Sequence, residues 1–599
     1  MMGKRKPSGT LFDVGNVFPL ALQPGTFHAQ LAEAGPRLFP DEKFQQLYDP
    51  QRGRYSVPPS ELALLLVLQA QAACADAEAL ARSAYDLRWC AVLRKPAGEP
   101  LCAKSTFQTF RAALVVQEKD CLLQASLAEA QRGGLLGSGE LRLFIDTKPV
   151  LGWGAVKDTY NLLGDGIAQL VRALARVQSE EVTAWAAAHG LARYLADRTS
   201  SLKGGADLDW TQAQARQEFL GEIVTDALRV CQLAAAWLAT APAGSPEADR
   251  QRRAVQEPCT LLEQILGQDV TVQTGPDGGL TAELKAGTAP DRICSGTDPE
   301  QRHGHKSKSK RFNGHKVRIG VVRRRRLKLV VGVDLLPGNA GDAADLKPFV
   351  EQVEANTGQA VGESVGDCAY GGGETRREFA DAARVLLAKS PQPSTRGELF
   401  PKRAFTLDLA AGTVTCPAGH TCSSGTETKD GTRHFRFGAL CATCPLREQC
   451  TTAKDGRTVQ VHPQEQLLQA ARAFQDTPAG KALLRERSAV EHALAMMAHL
   501  GAGQARYRGL EKTHFQMQGI AAVVNLRQIW NWEASEGATG PASAGAPDGV
   551  RGPQGNSEHA GRVKSWRSSL WTRCHSVSSG GRWQQLLSPL PAWSTAVAR

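Results

Sequence analysis

The chain has 599 residues, enough for two to four domains at about 100–200 residues each, and 42% of it is hydrophobic, so sizeable buried cores are within reach. Its formal charge is +11, from 71 Lys and Arg against 60 Asp and Glu, and the surplus is concentrated in segments, which favours a polyanionic partner such as nucleic acid. There is no run of about 18 apolar residues and no apolar leader in MMGKRKPSGTLFDVGNVFPL, and the 14 cysteines are scattered apart from one cluster; the expectation is a cytosolic protein with reduced thiols, no membrane association and no disulfide framework.

From residue 24 to 132 the pattern is helical. SELALLLVLQAQAACA places apolar residues on successive turns, with Pro58 and Pro59 before it and Ser60 as the expected N-cap. DAEALARSAYDLRWCAVL and KSTFQTFRAALVVQEKDCLLQASLAEA continue in the same way, as an ordinary helical bundle or a DNA-end-binding domain. At Leu141 the texture changes: LRLFID is a short strand ending in an acid. The next clear strands, HKVRIGVV (315–322) and LKLVVGVDLL (327–336), read as a hairpin around Arg323 to Arg326. Between them lies a long insertion of helical composition that leaves through a Gly/Thr/Pro-rich stretch near 273–290. A helix at 342–356, a strand ending in VGDCAY, a helix from Glu374 to Arg384 and the strand VLLAKS follow. KALLRERSAVEHALAMMAHL (481–500) predicts one strong helix, and the Gly, Ala, Ser and Pro of 536–599 have the composition of disorder.

Phosphodiester chemistry with two divalent ions about 3.5–4 Å apart needs carboxylates converging from separate elements. Asp146 and Asp367 end two of the predicted strands, and Glu491 lies mid-helix before His492. Taken singly, the two aspartates are equally explained as turn residues, and Glu491 as a solvated partner of Arg487 four residues earlier; only as a set do they suggest a metal site.

FIDTKPV, DPEQRHGHKSKSKRFNGHK, LLPGNAGDAADL, VGDCAYGGGETRREF, RERSAVEHALAMMAHLGAGQARYRGLEKTHFQ and AAVVNL closely resemble, in this order, successive blocks of the DDE transposases of bacterial insertion sequences. FQQLYDPQRGRYSVPPSELALLLVLQ, ALARSAYDLRWC and STFQTFR resemble the InsH-type helical N-terminal domain of one branch of that family. The resemblance implies a mixed α/β fold with a ribonuclease-H-like catalytic core at 138–532, interrupted by a helical insertion (150–295) and a cysteine-rich one (395–460), behind a DNA-binding domain at 24–132. It places the catalytic, metal-holding acids at Asp146, Asp367 and Glu491, with Mg²⁺ or Mn²⁺ as cofactor. It also implies DNA strand cleavage and strand transfer, a polynucleotidyl transfer, on double-stranded element ends and target, by a homodimer that pairs two ends in the bacterial cytoplasm at the nucleoid. In many relatives a Tyr and a Lys flank the Glu helix; here Leu484 and Ala498 stand in those places, while Arg487 fits. A nuclease on the same core, or an inactive protein that only binds element ends, are the alternatives.

Twelve Lys or Arg residues lie between Arg302 and Lys328, and a strip of this kind binds phosphates with a steep salt dependence unless it serves only as a solvated hairpin face. Arg302, Lys306, Lys308, Lys310, Arg311 and Lys316 are the expected DNA contacts there, with Arg487, Arg506, Arg508 and Lys512 near the Glu helix; Tyr507 would stack on a base or simply pack. Cys441 and Cys444 have the CxxC spacing that lets two thiolates reach one tetrahedral Zn²⁺, and Cys416 and Cys450 would close a structural site. The other reading is a set of reduced thiols packing a small insert.

Overall fold

The computed structural model describes residues 1–5, 11–195, 201–274, 280–307, 309–391 and 397–538; Lys308 and nearly all of the expected tail lie outside the described residues.

The N-terminal region folds as helices: α1 (Phe27–Leu38), α2 (Pro59–Ala72), α3 (Asp76–Tyr85), α4 (Lys104–Gln117) and α5 (Cys121–Arg132). In α2, Leu62 to Leu68 are all buried, so this helix lies inside the core instead of presenting one face to it. Its start differs from expectation. Ser60 is already inside the first turn, and its N–H donates to Asp41 Oδ1 at 3.0 Å, so a distant carboxylate caps the helix while proline occupies the first helical position.

Next comes β1 (Leu141–Leu151), then the helical insertion: α6 (Thr159–Val177), α7 (Ala213–Thr240) and α8 (Pro246–Asp269). This insertion has a hydrophobic core of its own, from Tyr160 to Ile293. By length and composition α7 could cross a membrane, but here it buries Leu220, Ile223, Val224 and Ala227 against its neighbours. The Gly/Thr/Pro-rich exit is more ordered than its composition suggests, because β2 (Val270–Thr274) and β3 (Leu280–Leu284) pair antiparallel there.

The main sheet is completed by β4 (Arg302–His305), β5 (Arg311–Arg324), β6 (Leu327–Pro337), β7 (Val361–Gly366) and β8 (Val385–Ala388). The predicted hairpin is β5 and β6, and the order across the sheet is β6-β5-β1-β7-β8, with β4 paired to the start of β5. β1, β7 and β8 run parallel; β5 is antiparallel to both β1 and β6. Between β6 and β7, α9 (Leu346–Thr357) lies close against the sheet. A Cβ on Gly332 would meet Val353 Cγ2 at 2.5 Å, so glycine there is what lets the helix approach. Phe349, 2% exposed, fills the interface; its burial contributes roughly 1.5–3 kcal/mol.

Beyond α10 (Gly373–Asp381) and β8, residues 397–461 form two small three-stranded sheets around a separate core that includes Phe405, Phe435 and Cys441. Then come α11 (Glu465–Asp476), α12 (Pro478–Arg485), α13 (Ser488–His499) and α14 (Leu510–Ala538). The single helix expected over 481–500 is two helices, broken at Glu486 and Arg487. α14 ties the chain together. Asn525 both donates to and accepts from the Val330 backbone of β6, and also donates to Ser126 of α5. One continuous hydrophobic core consequently runs from the N-terminal helices through the sheet to Trp530, and the helices at 24–132 share it with the strands.

Candidate active site

Two of the three acids are brought together by strand order. β1 and β7 are parallel neighbours with Phe144 opposite Val365, and Asp146 and Asp367 each stand two residues further on. They therefore leave the same end of the sheet on adjacent strands. Asp146 continues in register with Ile319 of β5 on its other side, whereas at Asp367 the strand has ended. Asp367 Oδ1 accepts the Ala369 N–H at 2.8 Å and caps the short turn Cys368–Tyr370.

Glu491 arrives from the far end of the sequence, and the helix break positions it. The residue lies in the first turn of α13, half exposed, not mid-helix as its pattern suggested. Arg487, in the break, forks between two acids: Nη1 donates to Asp146 Oδ2 at 3.2 Å and Nη2 to Glu491 Oε1 at 2.6 Å. The i,i+4 pair expected of a solvated helix is present, and the same guanidinium also joins that helix to β1.

Burial, with the neighbouring Asp367 and Glu491 charges, pushes the Asp146 carboxyl up to about 6, against the hydrogen bond from Thr147 and the pull of Arg487. The oxygen donors gathered here are of the kind that hard divalent cations take. The oxygens of Asp146, Asp367 and Glu491 do not all lie within 4.8 Å of one another.

Two residues of this region were missed in the sequence. Lys148 shares the Asp146 face of β1, two residues on, and burial together with Lys306 lowers its pKa. The strand period would have found it once FIDTKPV was placed beside the site. Tyr370 is fully buried, its hydroxyl has no hydrogen-bond partner among the described residues, and burial pushes its pKa well up, with Asp146 and Asp367 adding to the shift.

The expected basic strip divides in two. Lys306, Lys310 and Arg311 are exposed, as are Arg508 and Lys512 beyond α13. Lys316 is held by Asp342 and the Ala340 carbonyl, both at 2.7 Å, and Arg302 by the carbonyls of Pro299 and Gln301. Arg318 is fully buried, paired with Asp334 and lying over the Phe349 ring. Arg506 donates to the Cys74 carbonyl, and Arg508 lies over the exposed Trp153 ring. Tyr507 packs: its hydroxyl meets Arg111 and Asp76, an ion pair at 2.7 Å between α4 and α3, and so fastens the N-terminal helices to the loop before α14.

Cys416, Cys441, Cys444 and Cys450 line one cavity together with His420, and each cysteine of the expected set is there. Cys422 stands apart, bonded to the carbonyls of Ser424 and Arg436. Cys441 Sγ accepts the Arg457 N–H at 3.4 Å, and burial plus the three nearby cysteines push the Cys450 thiol up. Four sulfurs around one cavity suit a tetrahedral soft-cation site, although no three of the sulfurs lie mutually within 4.8 Å, so binding would draw them inward.

Residues 415–530 match the family model described as a transposase DDE domain, so the resemblance to DDE transposases stands. The matched stretch contains Arg487 and Glu491 and begins within the cysteine module; Asp146 and Asp367 lie before it. No curated protein and no solved structure gives a significant match.

Proposed function

We propose that this protein is a transposase that cuts the ends of an insertion-sequence DNA and joins them to target DNA, using Asp146, Asp367 and Glu491 on a ribonuclease-H-like core. One observation carries the reading: two aspartates at matched positions on adjacent parallel strands, with the glutamate of a distant helix linked to the first of them through Arg487. The strand order β6-β5-β1-β7-β8, antiparallel only at β5, supports the core assignment.

The three carboxylates would hold Mg²⁺ or Mn²⁺, which when bound polarises the phosphodiester and activates the attacking oxygen. Arg487 keeps Asp146 and Glu491 in place and offsets part of their repulsion. Lys148, Lys306, Lys310 and Arg311 bring positive charge to the Asp146 end of the sheet, where the DNA backbone would lie, and Arg508 and Lys512 extend it past α13. The helices at 24–132 serve in this reading as the InsH-type end-binding region, and two copies of the chain pair two ends. The four cysteines hold a structural Zn²⁺.

The test is excision in cells of a marker flanked by the element's own ends, comparing wild type with Glu491→Gln. Excision by wild type alone supports the reading. Excision by both shows that Glu491 is misassigned, and none by either, with end binding retained, leaves a protein that only binds DNA. Cutting without joining in a purified reaction would reassign the chain as a nuclease.

A further inference from the structure

The helical insertion holds a cysteine pair for which the reading above has no use. Cys231 is on α7 and Cys259 on α8, and the two helices share a core through Ala227, Val230, Val255 and Leu262. Both thiols are buried, at 8% and 3% exposure, whereas Glu263, one turn after Cys259 on the same helix, reaches solvent. Cys259 Sγ donates to a Glu263 carboxylate oxygen at 3.7 Å. The two sulfurs and one carboxylate oxygen all lie within 4.8 Å of one another, and among the described residues no other three His, Cys, Asp or Glu side chains are gathered so closely.

Tetrahedral Zn²⁺ with Zn–S near 2.3 Å and Zn–O near 2.1 Å needs ligand atoms about 3.6–3.8 Å apart. Closing from within 4.8 Å requires side-chain movement of about 1 Å at most. A buried cysteine pair alone would be read as small apolar packing. Here the Glu263 carboxylate reaches back one turn to accept the Cys259 S–H, and burial, with that carboxylate beside the sulfurs, discourages ionisation of both thiols unless a cation is present.

We propose that Cys231, Cys259 and Glu263 bind one thiophilic d¹⁰ cation of the Zn²⁺ class, with solvent water as the fourth ligand, and so clamp α7 to α8. Binding replaces two S–H bonds by two metal–sulfur bonds and releases two protons to solvent. The site is separate from the four-cysteine cavity and independent of the transposase reading.

The experiment loads the full-length chain with Zn²⁺, removes excess by dialysis and counts metal per chain. The Cys231→Ser/Cys259→Ser variant is expected to hold one equivalent less than wild type, whether wild type holds two (both sites) or one (this site alone). The exposed Glu263→Gln variant, which leaves the helix core intact, is expected to keep its fold and bind at least about tenfold more weakly. Co²⁺ should give sulfur-to-metal charge-transfer absorption that is lost in part or wholly with the cysteine pair. An unchanged metal count in a folded double variant, or unchanged affinity in Glu263→Gln, overturns the proposal. So does a 231–259 disulfide, seen as a two-hydrogen mass deficit, in the chain as purified from a reducing cytoplasm.

Discussion

Replacing Asp146 by Asn should stabilise the protein in magnesium-free buffer while abolishing DNA cleavage. The carboxyl is 16% exposed and its pKa is pushed from 3.8 to about 6, chiefly by burial. Two pKa units at 1.36 kcal/mol each make the ionised form on the order of 3 kcal/mol less favourable in the folded than in the unfolded chain. Because the folded pKa is raised, the penalty is absent below pH about 4, where both states are protonated, and grows until pH passes about 6. Asn has the same shape and carries no charge, so it removes most of that cost, although it accepts more weakly from Arg487. Thermal unfolding of wild type and Asp146→Asn between pH 4 and 8 should give midpoints that coincide at the acid end and diverge toward neutral pH, with the variant higher. Added Mg²⁺ should close the gap by stabilising only wild type, through mass action on the folded state. Equal midpoints at every pH would refute the claim that Asp146 is a buried carboxylate under electrostatic load. A variant less stable than wild type at pH 7.5 would show that the Arg487 contact outweighs burial.

Changing Lys306, Lys310 and Arg311 together to Ala should lower the slope of log affinity against log salt for element-end DNA by about 2–3, near 0.9 per lost phosphate contact; an unchanged slope in a filter-binding titration would move the DNA elsewhere. Asp76, partly buried yet held at about 2 by the Arg111 and Gln69 hydrogen bonds, contributes about 2 kcal/mol above pH 4 that is lost as pH falls through about 2. Arg111→Met, which strands that carboxylate, should cost about 3–5 kcal/mol and loosen the loop at Tyr507, measurable by urea unfolding and hydrogen exchange. Tyr370→Phe removes a buried hydroxyl that lacks a partner, so the fold should gain roughly 1 kcal/mol; a loss of that size in the same unfolding assay would mean that the hydroxyl is satisfied by ordered water.

The sequence by itself determined the elements whose signal is local. The Asp146 strand, the hairpin around Arg323–Arg326 and the helices at 24–132 each carry apolar runs or repeats of strand or helix length that can be read without knowing their neighbours. The acid trio was legible only by resemblance, since each acid alone looks like a turn or surface residue. Tertiary structure decided what depends on partners distant in the chain. It broke the 481–500 helix at Arg487, so that the guanidinium could turn to Asp146 341 positions earlier, and it capped α2 with Asp41 in place of Ser60. It also took Lys316 and Arg318 out of an apparently uniform basic strip, because a strand buried on both faces requires each charge to find a partner. The Cys231, Cys259 and Glu263 cluster was invisible for the same reason. Its members are separated by 28 and 4 positions, and only the packing of α7 on α8 brings the first onto the other two.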